Sequence, residues 1–311
     1  MATVAIIGAG LGGLPTAYEL RQLLPAEHRV ILISEADQFT FIPGLIRVGL
    51  DLDPLEDIQL DLHRLAARHR LEFIHGRVSH LDPHRQRLTA GEQTLDYDYA
   101  VIATGAHLAF EEMPGLGPHH GYTQSVCTAD HALEARRAWR DFLKHPGPLV
   151  VGAVPQAGCF GPAYEFLLLA EQQLRLQGLR DQVEITYVTP EPYAGHLGIG
   201  GLHQAQELTE GLMRQRGIRV IDNAAIAQVE PEVIHLADGR RLPFRYAMIL
   251  PNFQGVSFVR ESGLGDARGF VPVNDRYQHP EFPSIYALGV SVQLSQPEKP
   301  RCPSACRRVV R

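Results

Sequence analysis

The chain is poor in cysteine. Its four (Cys127, Cys159, Cys302 and Cys306) are too few to staple 311 residues into a disulfide framework. An excess of positive charge is also missing. Twenty-nine Lys and Arg stand against 35 Asp and Glu, for a net charge of −6, which argues against a nucleic acid as partner because phosphates need basic residues to neutralise them. No apolar run reaches the ~18 residues of a membrane span. Met1 leads straight into an apolar strand and leaves no room for a signal peptide, so a cytoplasmic address is expected. No spacing of Cys and His resembles a zinc site, and no metal is expected. Disorder is excluded as well, since hydrophobic residues make up 45% of the chain. At roughly 150 residues per domain, the length fits about two domains with a full core.

Glycine, by contrast, is plentiful and punctuates a repeated pattern. Thr3 to Ile7 reads as a buried strand, followed by Gly8, Gly10, Gly12 and Gly13, a helix to about Leu24, and a second strand from Arg29 to Ile33 that ends at Ser34-Glu35. This is a βαβ unit. Helical spacing runs from Leu55 to His69, and a strand from Tyr99 to Ala103 stops at Thr104-Gly105. A Pro- and Gly-rich crossing at Met113–Gly121 leads to a second unit: a helix Ala129–Lys144, a strand Pro148–Val151, a Gly-rich loop and a helix to about Gln177. A strand Val183–Val188, a helix Leu202–Arg216 and a strand Ile218–Ile221 follow. Ala247–Leu250 and Ser284–Leu288 then read as strands returning to the first domain. The pattern predicts an α/β chain of two doubly wound, Rossmann-like domains. Residues 1–110 and 244–300 form the dinucleotide domain, 111–243 the inserted second domain, and 301–311 an irregular basic tail.

Gly8, Gly10 and Gly13 make GxGxxG between a strand and a helix. The first glycine permits the tight turn, the second lets backbone approach a pyrophosphate, and the third lets the helix pack closely, with its N-terminus facing the anion. Glu35, at the end of the next strand, is the candidate acceptor for an adenosine ribose hydroxyl. The N-terminal position of the motif and the downstream Ala103-Thr104-Gly105 favour FAD over NAD. In the second unit, Val154 and Ala157 stand where the second and third glycines belong, and Val154 with Pro155 obstructs a pyrophosphate. A pyridine nucleotide is not expected there.

That second loop instead carries Cys159, just before Phe160-Gly161-Pro162. A thiol at a helix N-terminus faces the positive end of the dipole, which stabilises a thiolate or persulfide. Glu165, one turn in, is a candidate proton-exchange partner. Cys127 has a similar position two residues before the helix from Ala129, with His131 one turn further on. His196 lies in a Gly-rich loop, where a ligand or another backbone can come close.

Three segments resemble the sulfide:quinone oxidoreductases, flavoproteins that oxidise hydrogen sulfide: Ser125-Val126-Cys127-Thr128-Ala129-Asp130-His131, Gly158-Cys159-Phe160-Gly161-Pro162-Ala163-Tyr164-Glu165, and residues 191–199 with Tyr193-Ala194-Gly195-His196-Leu197-Gly198. The resemblance covers about residues 2 to 300. It implies FAD, sulfide, a membrane quinone, peripheral attachment at the inner face of the cytoplasmic membrane, and a homo-oligomer as a further option. By motif position, Cys159 carries sulfur as a persulfide or polysulfide and Cys127 is an auxiliary redox cysteine. Glu165, His131 and His196 move protons, and Gly289 meets the flavin ribityl chain. Ser34 and Val78 complete the expected cofactor set. The implied chemistry is thiol attack on a flavin, with a quinone as the final electron acceptor.

The tail departs from the family, which places a second redox cysteine and a helical region beyond position 300. Read two nucleotides out of phase, codons for residues 301–310 can spell the family's Pro-x-Gly-x-Pro-Lys-(Thr/Ser)-Gly. A frameshifted or truncated C-terminus is therefore expected. Two further readings stay open: an NADH:quinone oxidoreductase-like flavoprotein, and a truncated FAD-binding product without activity.

Overall fold

The computed structural model describes residues 1–198 and 203–294. The described residues divide into two compact units, residues 1–41, 59–107 and 254–294, and residues 42–58 and 108–253. The basic tail lies outside the described residues, as do Leu202, where a helix was expected to begin, and Ile199, where the third resemblance segment ends.

The first unit is organised by a five-stranded parallel sheet. Its spatial order is Ile285–Ala287, Tyr99–Ile102, Thr3–Ile7, Arg29–Ser34, Glu72–His75. The central strand Thr3–Ile7 is buried along its whole length, as expected of an apolar run covered on both faces. The chain leaves this strand for the helix Gly13–Leu23 and returns beside it as Arg29–Ser34. Later strands add on the other side, so the order reverses at Thr3–Ile7, and the crevice beyond its carboxyl end is where such sheets bind ligands.

The second unit repeats this plan with a four-stranded parallel sheet, in the order Ile218–Ile221, Ile185–Val188, Leu149–Ala153, Tyr246–Leu250. In both units an edge strand, Glu72–His75 in one and Ile218–Ile221 in the other, is followed by a three-stranded antiparallel meander, Val78–Asp82, Arg87–Ala90 and Gln93–Asp96 in the first and Ile226–Glu230, Val233–Leu236 and Arg241–Pro243 in the second. Below the second sheet Trp139, Phe142, Phe166 and Tyr246 stack in a fully buried aromatic cluster.

Two expectations change. The strand Tyr246–Leu250 does not return to the first sheet. It pairs along its length with Leu149–Ala153, and only Ile285–Ala287 rejoins the first sheet. An all-apolar strand fits the interior of either sheet, so composition could not choose between them. The helix expected over Leu55–His69 is broken into a 3₁₀ turn Leu55–Ile58, a strand Gln59–Asp61 and a helix Leu62–His69. Asp61 caps that helix, its carboxylate accepting the Arg64 N–H at 2.8 Å, which fixes the start at Leu62.

Candidate active site

The first unit gathers a dinucleotide cradle at the carboxyl ends of its strands. Gly8 has φ +104°, and a Cβ there would stand 2.4 Å from the Ala103 carbonyl oxygen. At Gly13 a Cβ would meet the Gly8 carbonyl oxygen at 1.8 Å, and at Gly12 the Leu288 side chain at 2.3 Å. Gly10 differs: nothing lies within 4 Å of its Cβ position, so its backbone faces open space at the start of the helix Gly13–Leu23. Three glycines thus serve the packing of the turn and one leaves room for an approaching group.

Gly105 (φ +73°) and Gly289 (φ +72°) are likewise open at Cβ. Ser291, which the sequence reading missed, ties these two segments together. Its buried hydroxyl accepts the Gly105 N–H at 2.9 Å and lies 3.5 Å from the Thr104 hydroxyl. Glu35 stands exposed after Ser34, with the Arg77 guanidinium at 3.8 Å. The Ser34 hydroxyl accepts the Ala36 N–H at 3.2 Å and shapes that turn. Val78 behaves differently from the other expected cofactor residues. Its side chain is buried in the core with Leu81 and Leu88, which leaves only its backbone for a ligand. Taken together, the cradle fits a dinucleotide such as FAD, with an exposed acid at the end of the second strand, an open backbone at Gly10, and two further open glycine turns.

In the second unit the turn after Leu149–Ala153 is longer, Val154 to Phe160, and has no glycine cradle. Val154 is buried, its N–H bonds the Leu250 carbonyl at 3.0 Å, and its carbonyl accepts the Ala157 N–H at 3.1 Å. The turn is closed on itself. Gly158 packs against the Phe253 ring, where a Cβ would come within 2.2 Å. Cys159 follows, one residue before the N-cap Phe160 of the helix Gly161–Leu176, with its Sγ 3.9 Å from the Cβ position of Gly161. Glu165 is exposed, and the Arg47 guanidinium is held above its usual range first by a hydrogen bond to Asp53 and in smaller part by the charge of Glu165.

Cys127 is half-buried just before the Thr128 N-cap of the helix Ala129–Lys144. Its similar place relative to a helix suggests a similarly acidic thiol, and that expectation fails: burial pushes the Cys127 thiol up, outweighing its contact with Ser125. His131 is buried against Phe110, with ring centroids 5.6 Å apart, and burial holds its pKa below the usual histidine value.

His196 sits in a loop held by a buried carboxylate that the sequence did not reveal. Glu191 accepts hydrogen bonds from the hydroxyls of Tyr164 (2.7 Å), Tyr187 (3.1 Å) and Thr189 (2.7 Å) and from the Leu197 N–H at 2.5 Å. The Tyr164 hydroxyl also accepts the Gly195 N–H at 2.7 Å. The helix beginning beside Cys159 and the loop carrying His196 are therefore joined through Tyr164 and Glu191. Burial pushes the Tyr164 hydroxyl up, so it remains protonated as a donor.

Comparison with known proteins gives the family. The family model of the pyridine nucleotide-disulphide oxidoreductases matches residues 2–300. The sulfide-quinone reductase of Aquifex aeolicus is 36% identical over 309 residues, covering 97% of this chain and 71% of that protein. The mitochondrial sulfide:quinone oxidoreductase of Mus musculus is 23% identical, covering 94% of this chain and 66% of the relative. The chain thus spans about two thirds of the length of such relatives. The crystal structure of the Aquifex aeolicus enzyme superposes with a TM-score of 0.91 at 35% identity, over 97% of this chain and 71% of that one. An internal alternative NAD(P)H-ubiquinone oxidoreductase of Solanum tuberosum matches more weakly, at 22% identity over 66% of this chain.

Proposed function

Because the chain belongs to the pyridine nucleotide-disulphide oxidoreductases and, among them, to the sulfide:quinone oxidoreductases, we propose that it oxidises hydrogen sulfide to polysulfide or sulfur and delivers the electrons to a membrane quinone. The observation that carries this reading is the second βα turn. Where a pyridine nucleotide would need glycines, the turn is closed by Val154 and Ala157 and offers Cys159 at a helix start instead.

The cradle of Gly8, Gly10, Gly13, Glu35, Thr104, Gly105 and Gly289 suits FAD, which when bound accepts an electron pair from sulfur and releases it to the quinone. The remaining roles belong to the chain's own side chains. Cys159 would hold the sulfur as a persulfide after the thiol and sulfide together give up two electrons, which pass by way of the flavin to the quinone, and two protons, which the nearby bases take; the peptide dipoles of the helix that follows favour its anionic form. Cys127, a thiol kept protonated by its surroundings, serves as a reserve rather than as the first nucleophile. His131 is neutral near pH 7, which leaves it able to take a proton released by sulfide. Glu165 and His196 are the other proton-carrying groups, and Glu191 fixes the loop that bears His196. Quinones are lipid-soluble, so this acceptor calls for peripheral attachment to a membrane, and we place it at the inner face of the cytoplasmic membrane. No helix among the described residues is long and apolar enough to cross a membrane.

The test is an anaerobic titration of the FAD-loaded protein. Sulfide should bleach the flavin, a short-chain quinone should restore its colour, and NADH should leave it unchanged. Bleaching by NADH with no response to sulfide would move the protein to the NADH-dependent relatives.

A further inference from the structure

Three side chains at the start of the helix Ala129–Lys144 and on the loop before it form a group with the chemistry of a transition-metal site. The Asp130 carboxylate Oδ2 lies 3.4 Å from His119 Nε2 and 3.8 Å from His131 Nε2, and the three ligand atoms are mutually within 4.8 Å. Bonds of about 2.0–2.2 Å to nitrogen and oxygen place neighbouring ligands of a tetrahedral zinc ion roughly 3.3–3.5 Å apart. The two separations from Asp130 are near that geometry, and a small movement of the exposed His119 and Asp130 side chains would complete the set.

The surroundings are arranged as supports of a metal site are. His119 turns its other nitrogen, Nδ1, to the Glu134 carboxylate at 3.2 Å. A carboxylate on Nδ1 fixes the proton there and leaves the Nε2 lone pair directed at the cluster. The second oxygen of Asp130, Oδ1, accepts the Thr128 hydroxyl at 2.5 Å, which leaves Oδ2 for an ion. His131 is buried and brings Nε2 to the cluster, while its Nδ1 has no hydrogen-bond partner among the described residues, so His119 is the better supported of the two imidazoles. The exposed side chains of His119 and Asp130 give an ion a way in and leave the fourth position to water. Asp130 lies eleven positions after His119, which is why no ligand spacing was visible in the sequence.

We propose that His119, Asp130 and His131 form a Zn²⁺ site, with Glu134 and Thr128 as its outer partners. Two imidazoles and one carboxylate suit zinc better than the all-oxygen shells of magnesium or calcium. A zinc ion on His131 Nε2 occupies the lone pair with which that nitrogen would accept a proton, so metal binding and proton transfer there exclude each other. The site itself does not depend on the sulfide reading.

The test uses tag-free, FAD-loaded protein and Zn²⁺ in competition with a chromophoric chelator, without sulfide, which would precipitate the metal. One zinc should bind per chain, and its X-ray absorption should show nitrogen and oxygen neighbours near 2.0–2.1 Å, without sulfur near 2.3 Å. Glu134→Gln should weaken binding by roughly 10–100-fold, as loss of an outer partner does, and His119→Ala by at least as much. Cys127→Ser should bind like the wild type. His119 is exposed on a loop, so its variant is expected to fold, and an unchanged flavin spectrum will verify this. A sulfur neighbour in the first shell, or equal affinity in His119→Ala, would overturn the proposal.

Discussion

The two units build the same strand–helix junction in opposite ways. In the first, the five residues Gly8–Gly12 separate strand from helix, and glycines fill every position where a Cβ would strike backbone or a neighbouring side chain. In the second, the seven residues Val154–Phe160 do so, and the extra length is used to close a turn between Val154 and Ala157 and to present Cys159. Both junctions open with an N–H bonded to a neighbouring strand, but on opposite sides: Gly8 to Ile33 of the strand after the helix at 2.8 Å, and Val154 to Leu250 of the late-added strand at 3.0 Å. One topology thus offers two surfaces, open backbone where side chains are removed and, on our proposal, a thiol where the backbone is covered.

The largest effect should come from breaking the second junction's chemistry. Cys159→Ser is expected to abolish sulfide-dependent flavin reduction, because a hydroxyl cannot carry a persulfide and its pKa is too high for a comparable nucleophile. Stopped-flow bleaching measures this, and a rate equal to wild type would remove the thiol from the mechanism. Next comes Gly13→Ala, which forces a methyl to 1.8 Å from the Gly8 carbonyl oxygen. Overpacking of this kind costs about 1–3 kcal/mol or more, so thermal melting should fall, and FAD retention with it. The matching Gly10→Ala, with open space at its Cβ, should leave the melting temperature of the FAD-free protein unchanged. Equal losses in both variants would mean that the two glycines do not divide the work. Smaller again, Glu35→Ala should weaken FAD binding by about 1–3 kcal/mol, the worth of a charge-assisted hydrogen bond. Equilibrium dialysis reads the change, and unaltered retention would show that the ribose is held elsewhere.

Much of this comparison was legible in the sequence. Helical and strand periods located the two βαβ units, and the helix Ala129–Lys144 was placed to the residue because Thr128 offers a cap and Pro146 stops the chain soon after. GxGxxG and the Cys159 loop were read directly. What stayed hidden depends on tertiary contact. Glu191 reads as a loop acid until Tyr164, Tyr187 and Thr189 converge on it. Glu171 reads as a solvated helix residue, yet it is fully buried among Arg175, Arg180 and Arg216. Ser291 lies 186 residues from Gly105 in the chain. No local pattern marks such partners, because each is defined by residues far away in sequence. The buried strand Tyr246–Leu250 was given to the wrong sheet for the same reason: its composition states that both faces are covered but not by which neighbours.

The finest comparison sets the two helix-start cysteines against each other. Both are half-buried; Cys159 is followed by Phe160 and Gly161, whereas Cys127 lies beside Val126 and Ser125, where burial pushes its thiol up. Iodoacetamide reacts with thiolates, so at neutral pH Cys127 should be alkylated more slowly than a free cysteine. Its rate should keep rising with pH beyond the ordinary thiol range. The same shift has a sign for stability. A thiol whose folded-state pKa is raised holds its proton longer in the folded chain than in the unfolded one. Below the unfolded value, about 8.5, both states are protonated and nothing is lost. Above it the unfolded chain ionises first, so stability declines with pH at up to about 1.4 kcal/mol per unit until the folded pKa is reached. Cys127→Ser should remove that share of the alkaline decline while costing little at pH 7, and should slow sulfide-dependent reduction far less than Cys159→Ser does. Denaturant unfolding of wild type and variant between pH 7 and pH 10, beside mass-spectrometric alkylation rates, gives both readings. Identical pH profiles for the two proteins, or fast alkylation of Cys127 at pH 7, would mean that burial does not govern this thiol and that the two cysteines are closer in chemistry than their surroundings imply.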